Sequence, residues 1–366
     1  MALALALIPA FTAIDASAAS MDAARQGVSA PQLKQAVASA AAMPRLHALI
    51  VAHDGVPLVE RVFHGRPLDA PVDIKSLSKI VIDTLAGIAI DRGVLRGPEQ
   101  PVLPLLRERV PGKLDARVAA ITLDDLLSMR SGLERTSGPF YGQWVNSRNW
   151  VRFVLTRPFV DAPGGMMLYS TGNTHLLSAI LTDASGRSTW QLANDWIGRP
   201  LGFQIPRWIR DPQGIYLGGN EMTLSARSLL KLGELYRLGG LYRNRRILPE
   251  RWVREAWTPR TTDLWGHGYG YGWFISQADG QPVYFGWGFG GQMLYVVPSL
   301  ELTVVIISDP GMRSVEGDYV CSLHELLARQ LIPAFLPSGA ARRAGADPSA
   351  ADSLCGSLVE APVAVQ

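Results

Sequence analysis

LHALIVAH, residues 46–53, runs into Asp54-Gly55 and then VPLVERVF, residues 56–63, and this stretch decides the architecture. An Asp-Gly pair between two apolar, β-branched runs is a strong hairpin signal, so two antiparallel strands are expected here. The signature returns far along the chain as GYGWFIS (270–276), the turn Ala278-Asp279-Gly280, PVYFGW (282–287), a glycine-rich bend, QMLYVVP (292–298) and LTVVIIS (302–308). Between these β-rich ends the apolar residues take helical spacing, in LDDLLSM (123–129), HLLSAILTDA (175–184) and LSARSLLKLGELYRL (224–238). The economical reading is an α+β fold: one antiparallel sheet made from both chain ends, flanked by helices, with a mostly helical domain inserted in the middle. The boundaries read from composition place the sheet region at 21–120 and 247–336 and the helical insert at 121–246. From residue 337 to 366 Ala, Ser, Gly and Pro dominate without periodicity, the composition of a mobile tail. The chain carries no internal repeat.

With 366 residues, 48% of them hydrophobic and 18% charged, the chain has the makeup of a compact enzyme-sized protein. A net charge of +3 and the absence of any basic run exclude a nucleic-acid surface. Cys321 and Cys355 have neither CxxC spacing nor nearby histidines, so neither a zinc site nor thioredoxin-like redox chemistry is expected, and a disulfide and two free thiols both stay open. Ala2 to Phe11 is apolar but too short to span a bilayer, and Ala16-Ser17-Ala18 has the small-x-small pattern of a signal-peptidase site. Residues 1–20 therefore read as a signal peptide and the mature chain as periplasmic or secreted, although no Lys or Arg precedes the apolar run. Without such processing the chain would be cytoplasmic. No later run is long enough for a transmembrane helix, so stable membrane insertion is not expected.

Only five of the basic residues are lysines, which makes Lys79 informative. Ser76-Leu77-Ser78-Lys79 reads S-x-x-K where the turn after the first hairpin gives way to SKIVIDTLAGIAI. On a helix, i and i+3 share a face, so the amine can approach the hydroxyl and take its proton. The helix N-terminus favours an alkoxide and offers backbone donors to a developing oxyanion. An ordinary lysine, with a pKa of about 10.4, is a poor base at neutral pH, so the site must desolvate it or supply a partner such as a tyrosine. A second match, Ser228-Leu229-Leu230-Lys231, lies inside an amphipathic helix that starts near Thr223 or Ser225, and it reads as structural. Tyr169 stands in a breaker-rich loop, Pro163 to Asn173, that runs into a helix. Gly286-Trp287-Gly288-Phe289-Gly290-Gly291-Gln292 joins two β runs, and glycines within a strand mark a close approach of backbone. A nucleophile, a phenol and a bare strand edge are the parts of an acyl-transfer site.

The order Ser-x-x-Lys, then Leu126-Leu127-Ser128-Met129-Arg130-Ser131-Gly132-Leu133, then Pro-Gly with Tyr-Ser, then Gly-x-Gly-Phe-Gly-Gly-Gln resembles the serine β-lactamase and penicillin-binding-protein superfamily. Within it the chain is most similar to class C β-lactamase-related hydrolases, among them family VIII carboxylesterases and 6-aminohexanoate-oligomer hydrolases. The resemblance covers about Arg45 to Pro333 and implies a β-lactamase/transpeptidase-like fold. It makes Ser76 the acylated nucleophile, Lys79 its proton acceptor and Tyr169 the partner that protonates the leaving group. It places the oxyanion hole at the backbone N–H groups of Ser76 and Phe289, and substrate contacts at Thr171, Asn173, Trp287 and Gly288. It calls for no cofactor and no metal.

Two positions depart from that pattern. Thr171 stands where the family usually has asparagine, with Asn173 two residues on, and Gly286-Trp287-Gly288 replaces a motif that begins with Lys or His. A cation there helps to hold a substrate carboxylate, so its absence favours small esters over β-lactams and peptides with a free C-terminus. An amide substrate is the alternative, and a non-catalytic binding protein on the same scaffold the third reading. His175 and His267 invite comparison with a Ser-His-Asp triad, but the chain has no G-x-S-x-G elbow, and both read as structural. Trp144, Trp150, Trp265, Trp273 and Trp287 are candidates for an apolar acyl pocket, with core positions the commoner fate of tryptophan. Asn149 to Phe153 open a helix ahead of the Tyr169 loop.

Overall fold

The computed structural model describes residues 27–110, 112–311, 316–336 and 354–356. The sheet has eight strands: β1 (Leu46–His53), β2 (Val56–Val62), β3 (Thr261–Thr262), β4 (Gly268–Tyr269), β5 (Phe274–Ala278), β6 (Gln281–Gly288), β7 (Gln292–Val297) and β8 (Leu302–Ser308). Their spatial order is β2-β1-β8-β7-β6-β5-β4-β3, antiparallel throughout, so the first hairpin joins the strands from the far end of the chain through the β1–β8 pair. Asp54 and Gly55 both have positive φ, 46° and 75°, as a two-residue hairpin turn of matching twist requires.

Both faces of the sheet are covered, which explains why β1 reads as a nearly continuous apolar run. Ala48, Ile50 and Ala52 face one core, while Leu49 and Val51 face the other. A register shift between Leu46 and Ala48 puts Leu46 on the second face as well. Helix α1 (Ala30–Ala41) packs on the second face with the C-terminal helical segment. On the first face lie α2 (Ser78–Asp91), α3 (Thr171–Ser185) and α4 (Ala226–Arg237). Every residue of α2 from Ser78 to Ala89 is buried, the mark of a helix in the middle of a core.

Helix α4 falls inside the stretch expected as the insert, yet it lies directly on the sheet. Gly233 rests against Leu294, Val296 and Thr303, and Thr303 Oγ1 donates to Glu234 at 2.6 Å. Residues 354–356, within the stretch expected as a tail, have partners in the body. Cys321, on α5 (Glu316–Glu325), is disulfide-bonded to Cys355, Leu354 is fully buried, and its carbonyl accepts from His267 Nε2 at 2.9 Å. These residues of the expected tail are thus stapled to the body, whereas the expected signal peptide lies outside the described residues. Among the described residues, no helix is long and apolar enough to cross a membrane.

Candidate active site

Ser76 lies in a tight turn, Lys75–Leu77, that leads straight into α2. Asp73 Oδ1 accepts the Lys75 N–H at 2.8 Å, and Lys75 adopts φ +51°, a left-handed conformation unfavourable for a lysine. Ion pairs from its ammonium to Asp73 and Glu221 hold the turn. Strand β6 approaches this turn so closely that a Cβ at Gly288 would lie 2.5 Å from the Ile74 carbonyl oxygen, and one at Gly286 would lie 2.4 Å from Ile80. Gly288, which meets backbone, is therefore required by space, whereas at Gly286 the ends of the Ile80 and Leu77 side chains would have to move.

Lys79 is 1% exposed and its Nζ lies 3.0 Å from Ser76 Oγ. The same nitrogen donates to the Gly219 carbonyl at 2.8 Å and lies 3.3 Å from Thr171 Oγ1. Burial pulls its pKa down to about 7, against a smaller opposing effect from Asp83. The desolvation that the sequence demanded of a lysine base is thus present. Gly219 was not singled out by sequence reasoning, although the Gly218-Gly219 pair was a visible signal. At φ +86° it sits where a Cβ would be 2.9 Å from Lys79 Cγ, so glycine alone lets its carbonyl meet the amine.

Tyr169 is positioned by the segment Met129 to Gly132. Leu168 N–H donates to the Met129 carbonyl and Gly164 N–H to the Arg130 carbonyl, each at 2.8 Å, and Arg130 Nη1 reaches the Gly164 carbonyl at 2.9 Å. The Tyr169 ring stacks on Phe274, with centroids 6.2 Å apart, and the Lys79 ammonium nitrogen lies 4.8 Å from its centroid. Burial pushes the phenol pKa up, and its interaction with Ser76 only partly offsets that. Tyr169 therefore remains a protonated donor at neutral pH.

Thr171 takes the place beside Lys79, and Ser137, unnoticed in the sequence, fixes it: Ser137 Oγ accepts the Thr171 N–H at 2.8 Å and lies 3.0 Å from Thr171 Oγ1. Asn173 is enclosed, its Oδ1 accepting from Ser131 at 3.0 Å and its amide nitrogen unpartnered. In this arrangement Asn173 is buried and held by Ser131. The Phe289 side chain is 57% exposed at the β6–β7 turn. Of the five tryptophans, Trp265 and Trp287 form a T-shaped pair 5.6 Å apart, with Trp287 also against Phe274. Trp144 and Trp150 instead pack around His175 in the core, and Trp273 is fully buried. His175 pairs with Asp211 at 3.1 Å and His267 with Asp263 at 2.9 Å, and His267 Nε2 also meets the Leu354 carbonyl. Among the described residues, no group of three or more His, Cys, Asp or Glu could hold a metal ion.

The fold recurs in known proteins. The chain is 29% identical over 156 residues to AmpH of Escherichia coli K12, a D-alanyl-D-alanine-carboxypeptidase/endopeptidase, a match that spans 40% of this chain and 38% of that one. EstCE1, a hydrolase with promiscuous acyltransferase activity, superposes with a TM-score of 0.61 at 18% identity, over 80% of this chain and 92% of its own. A D-stereospecific amidohydrolase from Streptomyces superposes with a TM-score of 0.58 at 20% identity, over 75% and 92%. At such identities these two structures establish likeness of fold. The family model for beta-lactamase matches residues 30–311, most of the chain and every residue of the site, and the chain belongs to the beta-lactamase family of serine hydrolases.

Proposed function

We propose that the chain is a carboxylesterase on small esters that works through an acyl-enzyme on Ser76. The observation that carries this reading is the enclosed Lys79 amine 3.0 Å from Ser76 Oγ. In the first step Ser76 Oγ attacks the ester carbonyl and its proton passes to the free amine of Lys79. Tyr169, protonated and facing Ser76, relays a proton to the leaving alkoxide. The backbone N–H groups of Ser76, at a helix start where such groups lack intrahelical partners, and of Phe289 hold the oxyanion. Water then attacks the acyl-enzyme by the reverse proton path. Trp287 and Gly288 border the acyl group, and Thr171 steadies the amine.

An ester is favoured because Gly286-Trp287-Gly288 offers no cation for a substrate carboxylate, and Trp265, Trp287 and Phe289 supply an apolar wall. The likeness to AmpH favours the second reading, an amide substrate. The Cys321–Cys355 disulfide supports an exported enzyme, since such bonds persist in oxidising compartments. The test is hydrolysis of a short-chain p-nitrophenyl ester, a chromogenic cephalosporin and an aminohexanoate dimer by the wild type and by Ser76→Ala. Ester turnover lost in the variant supports the esterase; turnover of the amides alone moves the assignment to an amide hydrolase.

A further inference from the structure

Lys79 is not the only ionisable group sealed behind Ser76. Asp83 follows it by one helical turn on α2, so both side chains leave the same face. Asp83 is 1% exposed, and neither of its carboxyl oxygens has a hydrogen-bond partner. Enclosing a carboxyl without donors is costly, and an apolar residue of similar size would avoid that cost. The fold nevertheless makes room for it: a Cβ on Gly272 would lie 2.3 Å from Asp83 Oδ2. The ionisable groups that face it from other elements are Tyr169 before α3, Tyr236 on α4 and Tyr269 on β4, all phenols whose burial keeps them neutral. Burial pushes the Asp83 carboxyl well above the usual carboxylate range, and the Lys79 cation is what opposes that.

Building on the acyl-enzyme reading, we propose that Asp83 is a positioning residue that governs the basicity of Lys79. The two buried groups titrate as a coupled pair, and the carboxylate form keeps the amine basic enough to take the Ser76 proton. In that step the Oγ–H bond breaks, an Nζ–H bond forms and Oγ bonds to the carbonyl carbon, whose π pair moves to the oxyanion. The new ammonium lies where water does not reach, and the carboxylate one turn below is the anion available to balance it. With a neutral residue at position 83 the ammonium would give up its proton at lower pH and the amine would be a weaker base.

The experiment measures the rate of Ser76 labelling by a fluorophosphonate, and of ester hydrolysis, against pH in the wild type, Asp83→Asn and Asp83→Ala. The acid limb is expected to move to lower pH by on the order of one unit in both variants, and the plateau to fall about tenfold. Thermal unfolding of both variants checks that the fold is intact, so that a moved acid limb reports on Lys79. Normal labelling with an unmoved acid limb in both variants overturns this proposal alone. Absence of Ser76 labelling in the wild type overturns the acyl-enzyme reading and this proposal with it.

Discussion

The chain contains the same four-residue pattern twice, and its two copies have different surroundings. Ser76 and Lys79 meet at 3.0 Å, with the amine sealed between Gly219, Thr171 and Tyr169. In the other copy the Ser228 hydroxyl lies 2.9 Å from Ser225, and Lys231 reaches out to the Gly202 carbonyl at 3.1 Å. Ser225 caps that helix by accepting the Ser228 N–H at 3.1 Å, so the second pattern serves the helix start. Spacing puts a lysine and a serine on one face; chemistry requires removing water from the amine and bringing a second chain segment to it.

The comparison breaks most readily at the nucleophiles. Ser76→Ala should lower kcat/KM by on the order of a thousandfold or more, whereas Ser228→Ala should leave it unchanged; equal effects in the ester assay would erase the distinction. Next, Lys79→Ala should cost about 10²- to 10⁴-fold, with Lys231→Ala as the silent counterpart in the same assay. Tyr169→Phe removes only the phenolic oxygen, and a loss of about 10²-fold in kcat is expected if the proton relay runs through it. The pH profile sharpens the contrast further. Because burial lowers Lys79 to about 7, the free amine accumulates as pH rises, so kcat/KM should climb through about pH 7 and fall below it. Smallest of all, Ser225→Ala should cost about 1 kcal/mol in denaturant stability, the worth of an N-cap, with kcat untouched.

The hairpin turns and helix α4 were legible because local rules govern them: Asp-Gly between β runs, and a capping serine ahead of periodic apolar positions. Ser76, Lys79 and Tyr169 were legible as an ordered set of side chains, and in the fold Lys79 lies close to both of the others. Gly219, Ser137 and Asp83 were not, because their importance arises from contacts made across the fold. The partner of Asn173 was not legible for the same reason, since the turn into α3 gives Thr171 the place beside Lys79 and brings Asn173 to Ser131. The insert boundary also depended on tertiary packing: α4 has the amphipathic pattern of a helix anywhere, and only its contacts with β7 and β8 show that it belongs to the sheet.

Lys75 has a consequence for how this enzyme can diverge. Its left-handed backbone favours glycine, yet its ammonium is what keeps Asp73 and Glu221 together beside Ser76. A drift to glycine would relax the backbone and leave two carboxylates facing each other, so the change is tolerable only if an acid is lost as well. Positions 73, 75 and 221 should therefore covary among descendants of this sequence, and a mutational library that randomises them singly would miss the combinations that survive.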